Sequence, residues 1–177
     1  MVRKFIKKSI FNPNFKLIKM KSYLSILITL LIFISCSSLD QSIENQNIID
    51  YDALNETEIQ NYISENNLVP KKSNSGLYYI IKEKGTGQVA TFSSNVTVSY
   101  KGYTTDKVVF EESKADGVSF DLNNLIQGFT EGVTYLKEGG EATLIIPSKI
   151  GYPHNLLPPH SLAGKVVIFD IKLISVN

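Results

Sequence analysis

Hydrophobic and polar positions change their spacing several times along the 177 residues. A basic stretch leads into a mostly apolar run over residues 23–34, followed by Ser35 and Cys36. After Cys36 the chain turns polar and rich in Asn and Asp, without periodicity as far as Asn55, which is the pattern of an extended tether. Residues 56–68 then place Ile59, Tyr62, Ile63 and Leu68 at helical spacing. That spacing predicts a short amphipathic helix with Asn55 as its N-cap, packed on the edge of the domain that follows.

From Gly76 the period shortens. Residues 77–81 are β-branched and aromatic, and the turn Lys84-Gly85-Thr86-Gly87 follows. Over residues 95–103, Val96, Val98 and Tyr100 alternate with Thr97, Ser99 and Lys101, the pattern of a half-buried antiparallel strand. Residues 108–112 and 118–122 read as shorter strands. Residues 128–136 are the one helical piece of this region, with Phe129, Val133 and Leu136 on one face and Gly139-Gly140 to end it. Two more strands, 142–146 and 165–176, complete the chain, the second turning Val167, Phe169, Ile171 and Leu173 inward. Antiparallel strands around one short helix make an α+β domain.

The length suits one ordinary domain with accessory segments. Residues 1–35 read as a signal peptide, 36–75 as an acidic tether with a short helix, and 76–177 as the domain. Charge sharpens this division. The seven basic residues before Cys36 stand there without an acidic one, so of the chain's 18 basic residues eleven remain against all 17 acidic ones. The mature net charge is then −6 in place of +1. Such a chain is poorly suited to neutralise phosphates, so nucleic acid is not an expected partner.

The single cysteine excludes an intramolecular disulfide. A basic segment, an apolar run and a small residue before the cut form a secretory signal pattern. With cysteine next, Phe33-Ile34-Ser35-Cys36 resembles a bacterial lipobox, which implies lipid attachment at Cys36 and a membrane-anchored protein of the cell envelope. An uncleaved anchor is the alternative, although the run is shorter than the about 20 apolar residues a spanning helix needs. Met20-Lys21 begins a compact signal of its own and offers an alternative start.

Chemistry-bearing clusters are sparse. His154 and His160 lie in a Pro-rich loop without a cysteine nearby, so no closed zinc site is expected, and neither metal nor cofactor is implied. The Lys84-Gly85-Thr86-Gly87 turn opens no helix and is not a phosphate loop. The sequons at Asn55 and Asn95 are coincidental in a bacterial lipoprotein.

A different set of residues carries a resemblance. Val96-Thr97-Val98-Ser99-Tyr100-Lys101-Gly102, Val109-Phe110-Glu111-Glu112-Ser113 and Leu125-Ile126-Gln127-Gly128-Phe129-Thr130-Glu131-Gly132 come first. They are followed by Leu136-Lys137-Glu138-Gly139-Gly140-Glu141-Ala142, Ile146-Pro147-Ser148 with Tyr152, and Val167-Ile168-Phe169-Asp170-Ile171. In this order and spacing they resemble the FKBP-type peptidyl-prolyl cis/trans isomerases, and the whole chain resembles lipoprotein forms from Bacteroidetes. The resemblance implies a curved antiparallel sheet wrapped around one short helix. It also implies rotation of Xaa-Pro bonds in exported polypeptides by a monomer, without covalent catalysis.

By that resemblance Tyr100, Phe110, Phe129 and Phe169 would wall a proline pocket, with Leu125 and Ile126 closing one side. The Ile126 N–H and the Tyr152 hydroxyl would bind substrate carbonyls, and Glu111 would stand near the twisting amide. Glu111 replaces the family's aspartate, Phe129 its pocket-floor tryptophan, and Val118 another aromatic. These departures motivate the alternative of a low-activity scaffold, a chaperone or a structural part of an envelope complex such as one for gliding motility. Between residues 153 and 166 two alignments remain open, on Leu162-Ala163-Gly164 or on Leu156-Leu157-Pro158-Pro159-His160.

Overall fold

A computed structural model describes residues 49–157 and 160–177. The signal segment, Cys36 and the tether as far as residue 48 lie outside the described residues. The chain enters through helix α1 (Tyr51–Glu65), then forms β1 (Lys71–Lys72), β2 (Tyr78–Glu83), β3 (Asn95–Thr104), β4 (Val109–Glu112) and β5 (Val118–Asp121). A 3-10 turn, Leu122–Asn124, leads to helix α2 (Gln127–Thr134). Strand β6 (Glu141–Ile146), a second 3-10 turn (Ser148–Ile150) and β7 (Val167–Val176) follow.

All seven strands join one antiparallel sheet in the order β1-β2-β6-β7-β3-β4, and β5 also pairs with β3. The two short strands share one edge of β3: β5 lies along Asn95 to Val98 and β4 along Lys101 to Tyr103. Ser113 bridges the gap between them. Its N–H donates to the Tyr100 carbonyl and its Oγ accepts from the Tyr100 N–H, both at 2.9 Å. Register shifts at Thr97/Val98, Gly102/Tyr103 and Ile81/Glu83 bend the sheet, as bulges do.

One sheet face holds the main core. Val96, Val98, Leu144, Ile146, Val167 and Leu173 are wholly buried there with Val133 and Leu136 from α2 and the turn after it. Helix α2 approaches β6 closely because Gly128 and Gly132, one turn apart, present no side chain. A Cβ on Gly128 would stand 2.6 Å from Ile146 Cγ2, and one on Gly132 would collide with Leu144.

The opposite face is covered by α1, whose Ile59 and Tyr62 pack with Tyr78, Ile145, Val166 and Ile168. This explains why β7 reads as a continuous apolar run at its start rather than as strict alternation: Val167, Ile168 and Phe169 are buried on two different faces. Accordingly the compact unit runs Ile49–Asn177, and its start lies well ahead of the Gly76 boundary read from the strand pattern.

The expected elements are present, and the clearest differences lie at the helices. Helix α1 begins five residues before Glu56, capped by Asp50, whose Oδ1 accepts from the Ala53 N–H at 3.1 Å. Asn55, expected as the N-cap, sits inside the helix and is buried. Helix α2 ends at Thr134 instead of at Gly139-Gly140. That pair instead forms the turn into β6, with Gly139 at φ 84 and the Gly139 N–H donating to the Leu173 carbonyl at 2.7 Å.

Candidate active site

Nine residues from seven parts of the chain meet around a cavity of about 280 Å³ between α2, β3 and the loop after β6. Strand β3 supplies Tyr100, β4 Glu111, β5 Phe120, and the segment before α2 supplies Asn124, Leu125 and Ile126. Phe129 comes from the first turn of α2, Tyr152 from the loop after β6, and Phe169 from β7.

The floor is aromatic and dry. Phe129 and Phe169 are each 4% exposed and Tyr100 is 9% exposed. Phe129 crosses the other two rings nearly at right angles, Phe169 at 5.2 Å and 85° and Tyr100 at 6.1 Å and 85°, while Tyr100 and Phe169 are tilted by 52° at 6.2 Å. Edge-to-face packing of this kind holds the rings in fixed orientations and adds about 0.5–1.5 kcal/mol per pair beyond burial. Phe120 closes the side of Tyr100 at 5.8 Å.

Phe110 stands one layer back. It does not line the cavity but meets Phe169 edge-on at 5.6 Å and 84°. Gly102 makes this possible, since a Cβ there would lie 2.7 Å from both the Phe110 and the Phe169 ring.

Polar groups gather at the rim. The Tyr100 hydroxyl donates to Glu111 Oε1 at 2.8 Å. Burial, reinforced by this bond and by the carboxylate charge, pushes the Tyr100 phenol up to about 12. The Tyr152 phenol is also raised, by burial first and by the charge of Glu111 second. Both hydroxyls therefore keep their protons at neutral pH. Tyr100 spends its proton on Glu111, whereas the Tyr152 hydroxyl has no hydrogen-bond partner among the described residues. Its ring lies flat on His160, with centroids 4.7 Å apart and planes 1° off parallel.

Ile126 caps α2 without a side-chain hydrogen bond. Its carbonyl accepts from the Phe129 and Thr130 N–H groups, both at 3.1 Å, while its own N–H has no acceptor among the described residues. The cavity thus combines an apolar floor with two donors that have no acceptor among the described residues. Among the described residues no group of three or more His, Cys, Asp or Glu side chains could hold a metal ion.

Residues 87–174 match the family model described as FKBP-type peptidyl-prolyl cis-trans isomerase. The domain belongs to the FKBP family. Every residue lining the cavity falls inside the FKBP match, whereas α1, β1 and β2 precede it.

The chain is similar to the probable FKBP-type peptidyl-prolyl cis-trans isomerase FkpA of Neisseria meningitidis serogroup B. The two are 43% identical over 109 residues, covering 60% of this chain and 40% of the relative. It is also 36% identical over 112 residues to FkpA of Escherichia coli, again over 60% of this chain and 40% of the relative. The chain thus spans less than half the length of these relatives. Among solved structures, FkpA from Escherichia coli superposes with a TM-score of 0.62 at 24% identity, over 96% of this chain and 75% of that one. A peptidyl-prolyl cis-trans isomerase from Pseudomonas syringae gives 0.60 at 24% identity, over 71% and 95%. These two superpositions establish the FKBP fold.

Of the residues singled out from sequence, the FKBP cavity brings together Tyr100, Glu111, Leu125, Ile126, Phe129, Tyr152 and Phe169. Phe120 and Asn124 line it as well and were not foreseen. Phe120 was legible in principle: it shares a strand face with Val118 and pairs with the buried Val96 of β3, whereas Val118 is 40% exposed and off the cavity. In the 153–166 loop, Leu162 is buried and the Gly164 N–H donates to the Tyr152 carbonyl at 2.9 Å.

Proposed function

We propose that this chain is a peptidyl-prolyl cis-trans isomerase and that the aromatic cavity receives the proline ring of its substrates. The observation that supports this most is the union of three buried, interlocking rings with two donors, Ile126 N–H and Tyr152 OH, that have no acceptor among the described residues.

Rotation about an Xaa-Pro bond meets a barrier of about 18–20 kcal/mol because amide resonance is lost as the bond twists. No bond to carbon is made or broken, so the protein needs no nucleophile. The planar amide is the more dipolar form and is favoured by water. A cavity floored by Phe129, Phe169 and Tyr100 withholds that hydration and so raises the planar state relative to the twisted one. The Ile126 N–H and the Tyr152 hydroxyl then hold the flanking carbonyls, and differential binding of the twisted amide lowers the barrier. Each tenfold acceleration requires about 1.4 kcal/mol. Glu111 fixes the Tyr100 phenol and places negative charge at the rim, where it meets the amide as its dipole turns.

The substrates in this reading are prolyl segments of exported polypeptides. The protein acts as a monomer held to an envelope membrane through lipid on Cys36. Among the described residues no helix is long and apolar enough to cross a membrane.

The test is cis-to-trans conversion of a prolyl tetrapeptide by the full chain. Acceleration is expected, and its loss on replacing Tyr100 and Phe129 together by alanine. Full activity in that double variant would place the chemistry elsewhere. A wild-type chain that binds unfolded polypeptide and leaves conversion at the spontaneous rate would support the scaffold reading instead.

A further inference from the structure

Asn55 is the most buried polar residue of α1, 3% exposed, and it lies in the middle of a helix outside the segment that matches the FKBP model. An unpartnered amide at such a depth is strongly destabilising. Its two polar atoms are both used, and both reach far along the chain. Oδ1 accepts from the Ser148 N–H at 2.6 Å, and Nδ2 donates to the Gly164 carbonyl at 3.0 Å. Ser148 and Gly164 flank the stretch that carries Tyr152 and His160. The Gly164 N–H in turn donates to the Tyr152 carbonyl at 2.9 Å. A continuous line of hydrogen bonds therefore runs from α1 through Gly164 to the backbone of a cavity residue.

Two neighbours on α1, Tyr51 and Asp52, work on the same segment. The Tyr51 ring lies on Gly164, where an added Cβ would come within 2.6 Å of it, and stacks on His154 at 4.4 Å and 4°. Asp52 pairs with Lys149 at 3.0 Å, though this bridge is exposed and contributes little. Ile59 and Tyr62 anchor the helix itself on the sheet.

We infer that Asn55 is a positioning residue for Tyr152, and that α1 is part of the working isomerase unit as the brace for its loop. The inference rests on the function proposed above and adds a component to it. Without the brace, the pivot of the 152–164 loop at Gly164 loses its tie to the rigid part of the molecule. Tyr152 then loses its fixed place above the cavity, and a small misplacement of a group that binds substrate is enough to slow the reaction.

The experiment is a double-mutant cycle in the full chain. Asn55→Asp keeps the acceptor for Ser148 and removes the donor to Gly164. Its kcat/KM for a prolyl tetrapeptide is expected to fall about tenfold, less than the roughly 100-fold that a full 1 Å misplacement can cost. In a Tyr152→Ala background the same substitution is expected to change kcat/KM little, because nothing is left to position. Equal losses in both backgrounds would show a merely structural role and overturn the inference, as would unchanged activity of Asn55→Asp on its own. An inactive wild type would overturn the isomerase reading, and the brace with it. If Asn55→Asp does not fold, Tyr51→Leu loosens the same loop without burying a charge, and it is held to the same pair of comparisons with a few-fold loss expected.

Discussion

The position that controls the cavity floor most directly has no side chain. Gly102 on β3 lets the Phe110 and Phe169 rings close over the strand, and a Cβ there would press on both at 2.7 Å. Gly102→Ala is therefore expected to tilt Phe169 within the cavity and to destabilise the protein by about 1–3 kcal/mol, the usual range for overpacking. Urea unfolding reads the stability, and the isomerase assay reads the floor. A variant with unchanged stability and activity would show that the rings have room. At this scale much of the site was legible. Tyr100, Phe129 and Phe169 lie in strand and helix stretches whose order resembles the family, and the cavity gathers them. Phe120 lies on the same strand face as Val118, two places earlier, and only its place opposite Val96 in the β3–β5 pairing brings it to the cavity. Asn55 was read as a cap from its neighbours in sequence. Its actual partners, Ser148 and Gly164, are set by tertiary packing that no local pattern encodes.

Among the elements, the long strands were the easiest to read because each turns one alternating face to the core. Strand β1 was missed, since Lys71 and Lys72 carry no strand propensity and are held only by pairing with Tyr78 and Tyr79. On the outer face of β7, Asp170 is the polar centre that ties four elements together. Burial alone would raise its pKa. The hydrogen bond from Lys82 and those from Thr143 and Tyr103 outweigh burial, and the carboxyl is held below its ordinary value. Its folded pKa is thus depressed relative to the unfolded chain, where an aspartate titrates near about 3.9. The stabilisation it gives is complete above that value and is lost as pH falls through the folded pKa. Thermal melts from pH 7 down to pH 2 are expected to show a smaller acid-induced drop in Asp170→Asn than in the wild type. Parallel curves would assign the acid sensitivity to other carboxylates, of which Glu56 and Glu131 are also held low.

For the whole molecule, the sheet is sandwiched unequally: α2 and the cavity occupy one face, and α1 covers part of the other. The FKBP fold was legible because its strands recur in order. The packing of α1 was legible too, since Ile59, Tyr62, Ile63 and Leu68 at helical spacing are the residues that meet the sheet, whereas its buried amide was not. The sheet also has to end somewhere, and at the β2 side it ends on β1, a strand of two residues that are both lysine. Both are exposed. Lys72 leans over the Tyr78 ring at 4.8 Å and pairs with Glu56 at 3.0 Å. A short cationic margin is a poor template for a further strand, whether from a copy of the same protein or from an unfolded client. Replacing Lys71 and Lys72 together by valine is expected to produce concentration-dependent oligomers by light scattering, with isomerase activity per chain retained in the monomer fraction. For a protein whose proposed task is to meet unfolded chains, those two ammonium groups separate handling a client from aggregating with it.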